Sequence, residues 1–271
     1  MDQQERQKII RDTFNTVAEG YDSEALLFFL KSAQLQAARF AFQGDERVLD
    51  VATGTGNAAL LLAAAIPQGH VTGVDFSSEM LKQARIKAQA KNIANVEFLE
   101  MDMQDLAFAD GYFDAAASAF GIFFVEDMQR QLTHIASKVR SGGKVCISTF
   151  YASAFSPLAE MFATDIQSFG IEQPPLAWKR VCNEEQCVAL FESAGLDDIR
   201  TERSDVGYYL RDENGWWDII WNAGFRALVN RLSEREREEF KAMHLSNVAR
   251  LTTDLGIKLN VEVLHTIGIK N

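Results

Sequence analysis

Short apolar runs rich in Val and Ile alternate with longer amphipathic stretches from Arg47 onward. The apolar runs predict strands at 47–51, 70–74, 96–101, 113–119 and 144–151. The amphipathic stretches predict helices at 58–66, 77–91 and 127–139, the last of them closed by Gly142-Gly143. Strands that alternate with helices in this order are typical of βα units, which build a parallel sheet.

The pattern is less regular beyond residue 151, where helices dominate. Further strands are predicted at 199–206 and 261–267, and further helices at 156–170, 183–195 and 213–255. The long stretch at 213–255 is expected to form two helices divided near Ser233, because Ser233 and Glu236 form a capping box. This insertion before the last strand predicts additional helices over one end of the sheet.

The first 45 residues carry apolar side chains in two groups, whose spacing predicts helices packed over the sheet rather than a tail. The first group is Phe14, Val17, Ala18 and Tyr21, and the second is Leu26, Leu27, Phe28 and Phe29. Together with the helices after the fifth and sixth strands, these helices are expected to form a lid. The predicted fold is one α/β, Rossmann-like domain with helices on both faces of the sheet.

Composition and charge limit the classes of molecule that the protein is expected to bind. The chain has 271 residues, 47% of them hydrophobic, which is enough to bury a full α/β core. Its formal charge of −11 argues against a nucleic-acid partner, because phosphate binding needs clustered Lys and Arg. A small-molecule substrate is therefore predicted, and the sequence does not specify an oligomeric state.

The cysteines and the amino-terminal segment indicate a reducing compartment. Cys146, Cys182 and Cys187 are odd in number and lack the paired spacing of zinc sites, so no metal site is predicted. The amino-terminal MDQQERQKII is too polar for a signal peptide, and the longest apolar run, 58–66, is too short to span a bilayer. The expectation is a cytoplasmic protein without membrane insertion.

The segment from Val48 to Gly56 places a turn of small residues directly after a predicted buried strand, where backbone can approach a ligand closely. Gly54 to Ala59 also fits the G-x-G-x-x-A variant of the dinucleotide fingerprint. Two cofactors are therefore candidates for this turn, a dinucleotide such as NAD and S-adenosylmethionine. Asp50 favours the cationic S-adenosylmethionine, because a carboxylate would repel the pyrophosphate of a dinucleotide. A carboxylate that only caps the turn is the alternative interpretation.

Asp75 ends the second predicted strand. It lies about 20 residues beyond the glycine loop, a distance typical of an acidic residue that accepts hydrogen bonds from an adenosine ribose. Both cofactor classes would use it, so Asp75 predicts adenosine binding without selecting the cofactor. Phe76 and Met80 could enclose the adenine, with ordinary core packing as the alternative.

Asp102 and Met103 follow the third strand, where a carboxylate can accept from the adenine amino group and a backbone N–H can bond a ring nitrogen. Asp50, Asp75 and Asp102 thus follow three successive strands, and together they predict an adenosine site that none of the single motifs would predict alone. Ser118, Ala119 and Phe120 end the fourth strand beside the same crevice. Their backbone carbonyls are expected to be available to the methionine ammonium.

These residues stand in motifs that resemble those of class I S-adenosylmethionine-dependent methyltransferases. Within that class the chain is most similar to the UbiE-like group of ubiquinone and menaquinone biosynthesis C-methyltransferases, also called methyltransferase type 11. The resemblance covers residues 10 to 150. It is carried by FNTVA and YD within 14–22, VLDVATGTG at 48–56, GVDFSSEML at 73–81, Asp102-Met103, FDAAASAFGI at 113–122 and SGGK at 141–144.

The resemblance implies a seven-stranded, mostly parallel sheet whose last strand runs antiparallel, with S-adenosylmethionine bound over the first four strands and S-adenosylhomocysteine as the product. The residues that the resemblance implies to bind the cofactor are Tyr21, as a lid tyrosine, and Asp50, Ala52, Gly54, Asp75, Phe76, Met80, Asp102, Met103 and Ser118. Thr53 and Gly56 of the glycine loop and Phe120 at the end of the fourth strand are expected to bind it as well. The expected parts of the chain are lid helices at 1–45, a cofactor-binding core at 46–151, and the end of the sheet at 152–271 with a substrate cap at 152–182 and 210–257.

Two departures from the quinone enzymes leave the substrate open. Phe123-Phe124 stands where quinone-pathway members carry an Arg-Asn pair. The long helical insertion at 213–255 looks more like that of varied small-molecule methyltransferases. The expected methyl acceptor is therefore a small molecule that is partly aromatic or hydrophobic.

The expected reaction is an in-line transfer, in which a substrate oxygen, nitrogen or carbon attacks the sulfonium methyl group. Positive charge disperses in the transition state, so a dry aromatic pocket suffices, and a general base matters only for a weakly acidic nucleophile. Candidate lining residues, each with core packing as the alternative, are Phe123, Phe124, Phe155, Trp178, Tyr208, Tyr209, Trp216, Trp217 and Trp221. His244 is a weak candidate base, with a structurally satisfied histidine as the alternative.

The sequence leaves two other functions open. An NAD-dependent oxidoreductase would use the same glycine loop, but it would have to tolerate Asp50, and no catalytic Tyr-Lys pair is evident. A cofactor-binding module without transfer activity would retain the same fold and the same crevice.

Overall fold

The protein is described by a computed structural model over residues 3–271, and the first two residues lie outside the described part. The strands are β1 (Arg47–Val51), β2 (His70–Asp75), β3 (Val96–Glu100), β4 (Phe113–Ala119), β5 (Val139–Phe150), β6 (Leu196–Asp205), β7 (Tyr208–Leu210), β8 (Ile257–Leu259) and β9 (Glu262–Lys270). A seven-stranded sheet has the order β3-β2-β1-β4-β5-β9-β6, and β7 pairs with β8 separately. Neighbours from β3 to β5 run parallel, whereas β9 runs antiparallel to both β5 and β6. The predicted mostly parallel sheet with an antiparallel last strand is confirmed.

Helices fill the connections between the strands. They are α1 (Gln3–Val17), α2 (Leu27–Ala38), α3 (Asn57–Ala65), α4 (Ser78–Ala90), α5 (Met128–Ser137), α6 (Leu158–Gln167), α7 (Glu184–Ser193), α8 (Glu213–Asn222), α9 (Arg226–Val229) and α10 (Glu234–Val248). Ser77, Asp127 and Asn183 each cap a helix, because their side chains accept from backbone N–H groups of the first turn. The capping box predicted for Ser233 and Glu236 is present at the start of α10.

Alternate residues of β1 separate two apolar layers, one on each face of the sheet. Val48 packs in a cluster that includes residues of α2, α3 and α4. Leu49 and Val51 belong to a second cluster that includes Leu132 and Ile135 of α5. Because both faces are covered, β1 is buried apart from its first residue, as expected for a central strand of a parallel sheet.

The sequence pattern predicts that Gly142-Gly143 closes a helix, and this prediction is wrong. The strand β5 begins at Val139 and contains both glycines. The β4–β5 register shifts between Phe113 and Ala115, so the glycines lie in an irregular stretch of the strand. A Cβ atom on Gly143 would lie 2.5 Å from the carbonyl oxygen of Asp114. The close approach of two backbones therefore requires glycine here.

The helical insertion is more divided than predicted. It forms α8, α9 and α10 instead of two helices, with a break after Asn222 in addition to the one at Ser233. The three-residue strands β7 and β8 flank the insertion and were not predicted, because they are too short to show an alternating pattern. The helix predicted at 156–170 is limited to Leu158–Gln167.

One apolar cluster runs without interruption from the sheet into the inserted helices. It contains Phe150 of β5, Phe162 of α6, Trp216 of α8 and Phe240 of α10. The inserted helices therefore share their core with the carboxyl-terminal half of the sheet. The division of the chain into lid, core and cap stays a prediction.

Candidate cofactor crevice

A crevice opens at the carboxyl ends of the first four strands, where the predicted acidic residues meet. It has two adjoining compartments, a larger one over the ends of β2, β3 and β4 and a smaller one between the glycine loop and α2. The residues that line both compartments are Tyr21, Ala52, Gly54, Ala119 and Phe120. Ligands of open parallel sheets bind at this edge, so the crevice is the candidate functional site.

The glycine loop after β1 turns through left-handed backbone conformations. Ala52 and Gly54 both have φ of 56°, and Gly56 has φ of 81°. A Cβ atom on Gly54 would meet nothing within 4 Å, so this residue faces open space in the crevice. A Cβ atom on Gly56 would instead lie 3.0 Å from the Cβ of Ala84 and 3.1 Å from the ring of Phe98. Gly56 therefore permits the close packing of the loop against α4 and β3 and is not part of the crevice lining.

Asp50 lies at the base of the smaller compartment and is almost fully buried. Its Oδ2 accepts a 2.6 Å hydrogen bond from the Thr53 hydroxyl, whereas its Oδ1 has no partner among the described residues. Burial raises the pKa of Asp50 to about 7, and the neighbouring carboxyl group of Asp75 adds to this effect. A cation in this compartment would pair with Oδ1 and favour the ionised carboxylate.

Asp75 connects the ends of β1 and β2 at the edge of the larger compartment. Its carboxylate accepts from the backbone N–H of Gly54 at 2.8 Å and from that of Ser77 at 2.9 Å. Burial raises the pKa of Asp75 to about 6 despite these two hydrogen bonds, which oppose the shift. Asp75 thus holds the glycine loop in place and still presents its carboxylate to the crevice.

The structure also brings Phe76, Met80, Asp102 and Met103 together in the larger compartment. Asp102 accepts from Gln104 N–H at 2.9 Å and from the side-chain amide of Gln7 at 3.1 Å. The contact with Gln7 was not predicted. It joins the amino-terminal helix to the end of β3.

The amino-terminal segment closes the crevice from above. Gln7, Ile10 and Phe14 of α1 line the larger compartment together with Tyr21. Tyr21 stacks on Phe29 with ring centroids 4.8 Å apart. The spacing of residues 7, 10 and 14 places them on one face of a helix, a signal from which Gln7 and Ile10 could have been predicted.

Comparison with known proteins identifies the family. Residues 48–143 match a protein family described as a methyltransferase domain. The ubiquinone/menaquinone biosynthesis C-methyltransferase UbiE of Geotalea daltonii is 34% identical over 157 residues, which cover 56% of this chain and 67% of that protein. The chain belongs to the UbiE-like class I S-adenosylmethionine-dependent methyltransferases. The demethylmenaquinone methyltransferase of Thermus thermophilus is 38% identical over 143 residues, covering 51% of this chain and 64% of that protein.

Solved structures agree with this family at the level of the fold. The YcgJ protein of Bacillus subtilis superposes with a TM-score of 0.61 at 21% identity, covering 89% of this chain and 98% of that one. A putative methyltransferase of Bacillus halodurans gives a TM-score of 0.58 at 16% identity, covering 88% and 99%. The predicted resemblance is confirmed, the cofactor of this methyltransferase is S-adenosylmethionine, and nothing in the comparisons favours the NAD-dependent alternative.

The crevice of this methyltransferase fits S-adenosylmethionine chemically. The cofactor carries an ammonium and a sulfonium group, and the unpartnered Oδ1 of Asp50 offers them a buried carboxylate oxygen. Its adenosine offers ribose hydroxyls, and Asp75 presents a carboxylate to the crevice. Gly54 leaves the space that a side chain would otherwise fill. The individual contacts of the predicted residues with the cofactor stay predictions.

Ser118 is placed differently from the expectation. It is buried beneath the crevice and lines neither compartment. Its carbonyl oxygen accepts from the side-chain amide of Gln36 at 3.3 Å on the buried side of the strand. Phe120, by contrast, has φ of 57° and lines both compartments, as expected for a residue at the strand end.

His244 is not a base in the crevice. It is fully buried in the inserted helices, where its Nε2 accepts from the indole N–H of Trp216 at 2.9 Å. The proton must then be on Nδ1, which donates to a carboxylate oxygen of Asp165 at 2.7 Å. Burial lowers the pKa of His244, although Asp165 opposes the shift. Both ring nitrogens are engaged, so the imidazole is a structural group.

Of the nine aromatic residues considered as a substrate lining, Phe124 lines the described crevice. Trp216 and Trp217 are buried in the inserted helices. The guanidinium carbon of Arg226 lies over the Trp221 ring, 3.1 Å from the ring centroid.

No group of three or more residues suited to a metal ion occurs in the described part of the chain. No helix within residues 3–271 is long and apolar enough to cross a membrane.

Proposed function

We propose that this methyltransferase acts on a small molecule with an aromatic or otherwise hydrophobic body. The proposal depends on an aromatic cluster that begins at the crevice wall. Phe120 contacts Phe29 at 5.3 Å and stacks on Phe150 at 4.3 Å between ring centroids. Phe150 in turn contacts Phe155 at 5.0 Å and Trp178 at 5.7 Å. The rings that an acceptor would meet in the larger compartment are Phe14, Phe120 and Phe124, and the buried rings of the cluster support Phe120 from behind.

Trp178 gives the cluster one polar group. It is buried, and its indole N–H has no hydrogen-bond partner among residues 3–271. An unpaired buried donor of this kind costs about 1–3 kcal/mol. Arg180 fixes this segment, because its guanidinium donates to the carbonyl oxygens of Phe123 at 3.3 Å and Val125 at 2.6 Å.

The side chains around the crevice serve to position the reactants. S-adenosylmethionine supplies a methyl group on a cationic sulfur, which makes that carbon electrophilic. The described residues that line the two compartments include no His, Lys or Cys, and their carboxylates, Asp50, Asp75 and Asp102, are assigned to the cofactor. Orientation and exclusion of water are therefore proposed to carry the rate. This arrangement suits an acceptor whose nucleophilic atom ionises readily or needs no deprotonation.

A transfer assay with isotope-labelled S-adenosylmethionine tests the proposal. The acceptor panel compares 1,4-dihydroxynaphthalene and 1-naphthol with glycine and ethanolamine, and mass spectrometry detects the methylated products. We expect transfer to the naphthalene derivatives. Transfer to the polar amines alone, or to no acceptor despite tight cofactor binding, would contradict the proposed acceptor class.

A pair of matched variants locates the acceptor. Phe124→Leu should raise KM for the naphthalene acceptor more than it raises the cofactor Kd, because Phe124 lines the larger compartment and is not among the predicted cofactor-binding residues. The control is Phe42→Leu, at a ring that stacks on Phe40 with centroids 4.9 Å apart and lines neither compartment. Equal effects of the two substitutions would show that Phe124 does not bind the acceptor.

A further inference from the structure

The ammonium group of Lys87, on α4, is held at the rim of the cofactor crevice. Its Nζ lies 2.8 Å from Oδ2 of Asp22. It also donates to Oδ1 of Asn57 at 2.8 Å and to the hydroxyl of Thr55 at 3.1 Å. Three elements therefore meet at this ammonium group: the amino-terminal segment, the glycine loop and α4.

The carboxylate of Asp22 completes the network from the opposite side. Its Oδ1 accepts from the Thr55 hydroxyl at 3.0 Å and from the side-chain amide of Asn57 at 2.9 Å. The side chains of Lys87 and Asp22 are only 22% and 33% exposed, so water screens this pair less than an open surface pair. We call these four residues the rim network.

The rim network acts on the residue that covers the crevice. Asp22 follows Tyr21, whose ring lines both compartments and stacks on Phe29. Movement of the amino-terminal segment would ease the release of a cofactor that occupies both compartments, because Tyr21 lines both of them. Breaking the pair between Lys87 and Asp22 removes a charged contact that opposes this movement.

We propose that Lys87 is a positioning residue for the cofactor: through Asp22 it holds Tyr21 over the crevice and slows the release of bound cofactor. Lys87 lines neither compartment, so it acts without direct contact. The inference rests on the cofactor and is independent of the acceptor class. A failure of the acceptor assay would leave it intact.

The test measures dissociation of S-adenosylhomocysteine from the preformed complex by stopped-flow displacement with excess S-adenosylmethionine. Lys87→Met keeps the length of the side chain and removes its charge. Loss of a partly buried, charge-assisted network should accelerate release by about tenfold. The control is Lys82→Met on the same helix, since Lys82 pairs with Glu79 at 3.1 Å on the exposed surface and does not reach Asp22. Release from the control should match that of the wild type.

Two further readouts separate positioning from a general loss of stability. Release from the wild type should accelerate with ionic strength, because salt screens the pair, and this dependence should be weaker in Lys87→Met. Asp22→Asn should also accelerate release, and the double variant should be no faster than the faster single variant. Release from Lys87→Arg should stay close to the wild-type rate, because arginine keeps the positive charge at this position.

Unchanged release in both Lys87→Met and Asp22→Asn would overturn the proposal, as would additive effects in the double variant. Circular dichroism and thermal unfolding establish that each variant is folded at the assay temperature. If Lys87→Met does not fold, the isosteric Asp22→Asn decides the matter. In that case release at wild-type speed rejects the inference, and faster release with reduced salt dependence supports it.

Discussion

Cofactor binding and fold stability should favour opposite protonation states of Asp50. The ionised carboxylate favours the cationic cofactor, whereas the protonated carboxyl group favours the folded state. Its pKa rises from 3.8 to about 7 in the folded protein, mainly because the carboxyl group is buried. The folded state therefore holds this proton more tightly than the unfolded state does. The resulting stabilisation is fully present below pH 4 and is lost as the pH rises through about 7.

The size of this effect follows from the shift. A pKa difference of this size corresponds to about 4 kcal/mol of stability that is absent at pH 8. Asp50→Asn cannot ionise, so the cofactor-free variant should be more stable than the wild type at pH 8, by up to about 4 kcal/mol. At pH 4 the two proteins should have similar stability. The same substitution should weaken S-adenosylmethionine binding by about 1.5–3 kcal/mol, because the charged acceptor for the cofactor cations is lost.

Urea unfolding at pH 4 and pH 8 measures the first effect, and calorimetric titration over the same range measures the second. Wild-type affinity for S-adenosylmethionine should rise with pH and level off above about 7, whereas the variant should lose this step. Asp110→Asn is a control of opposite sign, because Lys138 lowers the pKa of the exposed Asp110. That control should be slightly less stable than the wild type at pH 8. A cofactor-free Asp50→Asn protein that is less stable than the wild type at pH 8 would refute the reasoning.

Three further predictions concern the other residues of the site. Asp75→Ala should weaken cofactor binding by about 1–3 kcal/mol through lost hydrogen bonds, and unchanged affinity in a titration would place the ribose elsewhere. Gly56→Ala should lower the free energy of unfolding by about 1–3 kcal/mol, because it adds strain at positive φ and crowds Ala84; Gly170→Ala, at φ of 75° with nothing within 4 Å, should cost less in the same urea titration. His244→Ala should lower it by about 2–4 kcal/mol, since it leaves Asp165 and Trp216 unpaired. Methyl transfer per folded molecule of His244→Ala should stay within about threefold of wild type if no proton passes through the imidazole, and a loss of about a hundredfold or more would restore it as a base.

The sequence determined the sheet and the place of the crevice. The predicted bounds of β1 and β4, 47–51 and 113–119, agree with the structure, because strands buried on both faces show as continuous apolar runs. Asp50, Asp75 and Asp102 were predicted to meet because each one stands at the carboxyl end of a parallel strand, or just beyond it. Their meeting required only the order of the strands, which the βα pattern supplies.

Tertiary structure decided the features that depend on contacts between distant positions. The spacing around His244 does not reveal that Trp216 and Asp165 occupy both of its nitrogens, because those partners come from other helices. The glycine pair in β5 has the local pattern of a helix end, and only its pairing with β4 makes it an irregular stretch of strand. The pair between Lys87 and Asp22 likewise joins α4 to the amino-terminal segment. Hydrophobic periodicity reports which face of an element is buried, whereas the partner that a buried or half-buried polar group finds there is settled by packing.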